Sequence, residues 1–254
     1  MSIRLKQFTQ TYNVGDVIGA RIVKAITGRE VRIVGEAPQP APNLIGIGSI
    51  AHWADEFSVL WGCGLVAEHL GIHPPARVLA LRGELTRDIL TRRGIRCSDV
   101  LGDVGLLLPD LIAPSPPEHA VGLVPHYVDR DGDFVASCRS MGIPIVDVFA
   151  APEVYVAQLT ACRRILSSSL HGLILAHAYG IEAAWVKISD RVHGEGFKFY
   201  DYYSSLGVGR HDVSMLLPGD SWDRMLESCW KPDQLPDRAR LRQALVERVS
   251  ELDT

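Results

Sequence analysis

The sequence predicts an α/β fold built on mostly parallel sheet, and three observations carry that expectation. Short β-rich runs alternate with helical patterns along the chain, an order that puts helices on both faces of parallel strands and ligands at the strands' carboxyl ends. The 254 residues are 47% hydrophobic, enough for one large domain or two small ones with proper cores. The proline-rich piece Ala113-Pro114-Ser115-Pro116-Pro117-Glu118 reads as a linker, dividing the chain into two comparable halves, residues 1–115 and 116–254. A cleft between the halves is then the default site.

A first helix is expected over residues 16–27, with Asp16 as its N-cap after Asn13-Val14-Gly15. Strands follow at 31–34 and 43–47. The second runs into Gly46-Ile47-Gly48-Ser49, whose glycines imply close backbone approach but lack the third glycine of a dinucleotide turn and the lysine of a P-loop. A helix is expected over 55–69 and a strand over 77–81. Arg82 ends that strand, where a forked, permanently charged guanidinium suits bidentate binding of carboxylate or phosphate; a surface ion pair with Glu84 or Asp88 is the plainer alternative. A helix over 84–93 follows, then strands over 105–108, 121–125 and 144–148. His126, at the end of the second of these, either contacts substrate or packs beside Tyr127. A helix is expected over 152–162.

The next junction is the most informative. A buried strand over 164–167 runs into Ser167-Ser168-Ser169 and then a helix over 170–179, with Ser168 or Ser169 as N-cap and Gly180 as the C′ stop. Leu170, Leu173, Ile174 and Ala178 share a face; His171 lies off it and is expected to face a cleft. A helix N-terminus favours anions, since its first N–H groups lack partners and its dipole end is positive. His177, six residues on, cannot share a metal with His171 and reads as core. After the strand expected at 183–188 come the cations Lys187, Arg191 and Lys198. The aromatics from Phe197 to Tyr203 offer either a stacking surface for a sugar or a lid over the cleft. A final amphipathic helix over 238–252 carries Leu241, Ala244, Leu245, Val249 and Leu252 on one stripe.

Composition excludes several classes. No apolar run reaches the roughly 18 residues of a membrane span, and residues 1–10 lack the core of a signal peptide, so a cytoplasmic location is expected. Five scattered cysteines without CxxC spacing argue against a disulfide framework or structural zinc, and the histidines give no metal site. A net charge of −4 with mixed signs gives no nucleic-acid footprint. No Gly-x-Ser-x-Gly elbow is present, which disfavours a serine hydrolase.

An ordered set of segments resembles the polysaccharide pyruvyl transferase family, in its exopolysaccharide ketal-pyruvate branch. The set is Asn13-Val14-Gly15-Asp16, Ile45 to Ile50, Trp61-Gly62-Cys63-Gly64, Leu81-Arg82-Gly83-Glu84-Leu85-Thr86, Leu101-Gly102-Asp103, Val124-Pro125-His126-Tyr127, Ser167 to Ile174 and Gly196 to Tyr202. The resemblance implies two Rossmann-like halves facing a cleft, as in GT-B glycosyltransferases. It implies transfer of pyruvate from phosphoenolpyruvate onto two hydroxyls of a sugar carried on a lipid-linked repeat unit and met at the inner membrane face, with no metal or cofactor. His171 is then the general acid. Arg82, the Ser169-Leu170 turn and a downstream cation, Arg191 or Lys198, hold the donor, while His126, Asn13 and Asp16 complete the substrate site. Where many relatives carry arginine before Leu-His, this chain has Ser169. A nucleotide-sugar glycosyltransferase and a non-catalytic sugar-phosphate-binding protein are the competing expectations.

Overall fold

The computed structural model describes residues 2–252. Two all-parallel sheets carry the chain. The first has strands β1 (Ser2–Lys6), β2 (Glu30–Val34), β3 (Asn43–Ile45), β4 (Ser58–Cys63) and β5 (Arg77–Leu81) in the order β2-β1-β3-β4-β5. The second has β6 (Gly122–Val124), β7 (Arg164–Ser167), β8 (Glu182–Val186) and β9 (Met215–Leu216), in sequence order. The chain passes from one sheet to the other through the proline-rich 113–118 piece.

Helix α1 (Val14–Thr27) crosses from β1 to β2, and α2 (Glu84–Arg92) follows β5. Helices α3 (Asp133–Ser140) and α4 (Pro152–Thr160) lie between β6 and β7, α5 (Leu170–Ala178) between β7 and β8, and α6 (Phe197–Ser204) between β8 and β9. The chain then forms α7 (Trp222–Glu227) and α8 (Arg238–Val246). One apolar cluster joins the two sheets: Ile3 and Leu5 of β1, Ile18 and Ile22 of α1, Leu106 to Leu108, Leu173 to Leu175 of α5, and Ala183 of β8.

Several local readings give way to tertiary structure. The 55–69 segment, expected to be helical, contains the buried strand β4, every residue of which is covered. A strand sandwiched between two others need not alternate polar and apolar residues, so its pattern is indistinguishable from that of a buried helix. The expected strand at 105–108 is a 3-10 helix, Val104–Asp110, whose cap is the Asp103 carboxylate accepting from Gly105 N at 2.8 Å. The 144–148 run makes only an isolated bridge, Leu123 to Ile145. The aromatic segment after Gly196 forms α6, with Phe199 stacked on Trp185 at 4.3 Å and Tyr202 and Tyr203 buried, so it is core rather than a lid. His177 is core too, held by the Tyr202 hydroxyl at 2.9 Å and the Trp230 carbonyl at 3.2 Å.

The terminal helix α8, which follows the second half in sequence, packs on the first sheet. There Trp61 Nε1 of β4 donates to the Leu241 carbonyl at 2.7 Å. Near the other edge, fully buried Lys6 donates to Asp55 and to the Trp53 carbonyl, both at 2.7 Å. Burial alone would raise the Asp55 carboxyl, but Lys6, Gln39 N, Asn43 and Ser58 together hold it far below the usual carboxylate range. This network fixes the chain that carries Trp53.

Candidate functional site

The carboxyl ends of the two sheets face each other across a cavity of about 290 Å³. Its walls come from the segments following β1 (Phe8), β3 (Gly48, Ser49, Ile50, His52, Trp53) and β4 (Val66), and from the start of α1. From the second sheet come His126 and Tyr127 after β6, Ser169 to His171 after β7, and His193 and Lys198 after β8. Strand-end loops are free to carry function because the sheets beneath them fix their position.

The turn after β7 is held from below. Ser167 Oγ donates to the Val124 carbonyl at 2.9 Å, while Ser168 Oγ donates to Asp129 at 2.8 Å and accepts from His126 N at 2.8 Å. Asp129, fully buried, also accepts from Ser189 Oγ at 2.5 Å. One carboxylate thus ties together the loops after β6, β7 and β8. Ser169 occupies the N-cap position of α5 with extended backbone but makes no side-chain capping bond, which leaves its hydroxyl and the first N–H groups of the helix for a ligand. Gly180, with φ +72°, ends the helix as expected.

His171 stands in the first turn of α5 between two protein elements. Its Nδ1 lies on the cavity side, against Gly15 of α1, where a methyl group on that glycine would overlap the ring. This is the physical content of the Asn-Val-Gly-Asp motif: α1 needs a glycine there to let the imidazole in. Nε2 points away from the cavity; it is buried, has no hydrogen-bond partner, and sits 3.8 Å from Asp103. Burial, with Arg82 and Lys198 nearby, lowers the His171 pKa to about 3, so the ring of the unliganded protein is neutral. Asp103 is pushed up to about 7, chiefly by burial.

The N-cap of α1 is Asn13, not Asp16: Asn13 Oδ1 accepts from Asp16 N at 3.2 Å, and Asn13 Nδ2 donates to the Asp16 carboxylate at 2.5 Å. The helix therefore starts at Val14 and not at Asp16, and both side chains line the cavity. Burial raises Asp16 to about 6 against the opposing influence of Asn13 and Lys198.

The predicted cations separate. Lys198, in the first turn of α6, lines the cavity, and its ammonium makes no hydrogen bond or ion pair among the described residues. Burial and Arg82 lower it to about 8, with Asp16 and Asp129 opposing. Arg191 lies outside the cavity with its side chain 60% exposed, 3.7 Å from Asp129. Lys187 pairs with Asp190 at 2.6 Å.

Arg82 neither lines the cavity nor sits in a surface ion pair. It is fully buried, donating from Nε to Asp201 at 2.9 Å, from Nη1 to Ser49 Oγ at 2.6 Å and from Nη2 to the Leu65 carbonyl at 2.6 Å. Asp201 of α6 also accepts from Thr86 N at 2.7 Å and Thr86 Oγ1 at 2.8 Å. The guanidinium reaches the cavity through Ser49 and through its field. A side chain on Gly83 would collide with the Asp201 carbonyl, so the glycine after Arg82 is what lets α6 dock.

His126 meets both of its expected descriptions: it lines the cavity and packs on Tyr127, with ring centroids 4.3 Å apart. Burial, then Lys198, His193 and His171, lower it to about 3. Sequence reasoning missed Ser49, His52, Trp53, Tyr127 and His193 as wall residues; no spacing marks them, although Ser49 and Tyr127 fall inside segments that carry the resemblance. It also gave Asp103 and Asp201 no role.

Comparison with known proteins agrees with the sequence resemblance. Residues 73–190 match the family model described as Polysaccharide pyruvyl transferase. An uncharacterized protein of Acanthamoeba polyphaga mimivirus is 30% identical over 217 residues, covering 82% of this chain and 76% of the relative.

Proposed function

The chain belongs to the polysaccharide pyruvyl transferase family, and on that premise we propose that it moves pyruvate from phosphoenolpyruvate onto two hydroxyls of one sugar in an exopolysaccharide repeat unit. The product is a cyclic ketal and inorganic phosphate. The observation that carries this reading is the meeting, in one cavity, of the Lys198 ammonium, which lies over the Phe199 ring without a hydrogen bond or ion pair among the described residues, a helix N-terminus with no side-chain cap, and His171.

The donor brings a carboxylate and a phosphate. The Lys198 ammonium and the first N–H groups of α5 offer two anchors of the kind those groups need, and Ser169 adds a hydroxyl. The field of buried Arg82 favours the same anions without direct contact. Bound donor charge offsets the cations that hold His171 neutral, so a proton at Nδ1 becomes transferable where the enol methylene lies. Proton addition at that methylene makes the central carbon electrophilic, and a sugar hydroxyl adds to it, returning its proton to the bare His171 Nδ1. Phosphate then leaves with a proton from the second hydroxyl as that oxygen closes the ketal. Asp16 and Asn13 are placed to accept hydrogen bonds from the sugar, and Trp53, Phe8 and Tyr127 offer apolar ring surface for its faces. The acceptor is proposed to be lipid-linked and met at the inner face of the membrane; among the described residues no helix is long and apolar enough to cross one.

The test is an assay for phosphate release from phosphoenolpyruvate with candidate lipid-linked oligosaccharides, run beside an assay for nucleoside diphosphate release from nucleotide sugars. Phosphate release alone is expected. His171→Ala should lose roughly 10²–10⁴-fold in kcat while keeping its fold, and Lys198→Met should raise the KM for phosphoenolpyruvate. Nucleoside diphosphate release without phosphate release would replace this reading with a glycosyltransferase.

A further inference from the structure

We propose that Asp103 is a positioning and proton-relay residue for His171, so that the acid of this site is a buried carboxyl–imidazole pair sharing one proton. The proposal rests on the transferase reading for its chemistry, but the pair itself rests on geometry alone.

Asp103 and His171 come from different halves of the chain. Asp103 immediately precedes the Val104–Asp110 3-10 helix, against which α5 packs. The carboxylate is fully buried; one oxygen caps Gly105 N, and the other has no partner. His171 Nε2 has none either, and is 3.8 Å from the capping oxygen. Asp103 Oδ2 and His171 Nε2 are both buried without a partner, which is costly in a folded protein, and catalytic hydrogen bonds commonly tighten only when substrate binds. Solvent reaches neither Asp103 Oδ2 nor His171 Nε2, and the Asp103 carboxyl is the acidic group within 4 Å of that nitrogen.

The charges around the pair are mixed. Arg82 after β5, His126 after β6 and Lys198 of α6 lie near the imidazole, while Arg82, Asp201 and Asp16 act on the carboxyl, with Cys63 of β4 and Tyr202 of α6 beside it. Burial disfavours both charged forms. At rest the carboxyl holds its proton and the ring is neutral with hydrogen on Nδ1, facing the cavity. On reaction the Nδ1 proton passes to the methylene of the donor while the Asp103 proton passes to Nε2. This leaves a carboxylate and a neutral ring with a bare Nδ1. That nitrogen takes the proton of the attacking sugar hydroxyl as Nε2 returns its own to Asp103, and the pair is restored. No imidazolium has to persist among the neighbouring cations at any point.

The test has two parts. In wild-type protein, nitrogen NMR of the His171 ring should show a neutral ring with hydrogen on Nδ1 from about pH 5 to 6, below the value of about 7 to which burial pushes Asp103. Hydrogen on Nε2, or a titration near the ordinary pKa of about 6.5, would overturn the proposal. Asp103→Asn keeps an oxygen for Gly105 N but has no proton to relay. It should lower kcat by about 10²-fold or more and flatten the pH profile, with the KM for phosphoenolpyruvate changed by less than about threefold. Wild-type kcat and pH profile in this variant would also overturn it. Because the NMR measurement uses wild-type protein without substrate, it decides the pair even if Asp103→Asn fails to fold. It decides the pair equally if phosphoenolpyruvate proves not to be the donor.

Discussion

The groups in this cavity are held in protonation states that folding alone would not choose. Lys198 is lowered to about 8 and Asp16 raised to about 6, each mainly by burial. Both shifts oppose folding near neutral pH. The Asp16 contribution to stability is full below the ordinary carboxyl pKa and is lost as pH rises through about 6. If the cavity takes the proposed anionic donor, its charge would relieve the part due to Lys198. Gly15 is the residue on which the ring geometry turns. Gly15→Ala should leave α1 intact, since alanine is the better helix former, yet displace the imidazole that its methyl would meet. We expect a loss of at least about 10²-fold in kcat with little change in circular dichroism; unchanged kcat would mean the ring is not positioned by α1. His171 was readable because it sits at a recognisable strand-to-helix junction, whereas Lys198, Asn13 and Asp16 were named through the segments that carry the resemblance; all four line the cavity. Asp103 was not, because its importance lies in facing a residue 68 positions away, as its 3.8 Å approach to His171 shows.

At the scale of elements, the decisive contact joins the segment after β5 to α6. Arg82, Thr86 and Asp201 form a fully buried network that docks α6, and with it Lys198, onto the first sheet. Breaking a buried ion pair by removing one partner leaves the other charge uncompensated. Asp201→Ala should accordingly cost about 3–5 kcal/mol in denaturant unfolding and also reduce phosphoenolpyruvate affinity, because Lys198 loses its support. A cost under about 1 kcal/mol would show that the network is not a staple. The strand-end position of Arg82 was legible in sequence, but its partner was not. The nearest acids in sequence, Glu84 and Asp88, offered the surface alternative, whereas the true partner lies 119 residues away. The same limit applies to β4. Its all-buried pattern gives no periodicity, and only pairing with β3 and β5 makes it a strand.

The molecule as a whole is tied together more tightly than its sequence organisation suggests. The apolar cluster is continuous from β1 to β8, and α8 returns from the end of the chain to cover the first sheet. We therefore expect a single unfolding transition by tryptophan fluorescence and circular dichroism. Leu241→Ala, at a fully buried site, should shift that transition by about 2–5 kcal/mol without splitting it; two separate transitions would mean the sheets are independent units. The sequence by itself determined the α/β class, the helix bearing His171 and the family to which the chain belongs. These are encoded locally, in periodicity, turn chemistry and ordered motifs. The tertiary structure alone decided which cation enters the cavity, what Arg82 holds, where α8 lies and which carboxylate backs the imidazole. Each of those depends on residues far apart in the chain meeting where water is excluded, and no local pattern records such meetings.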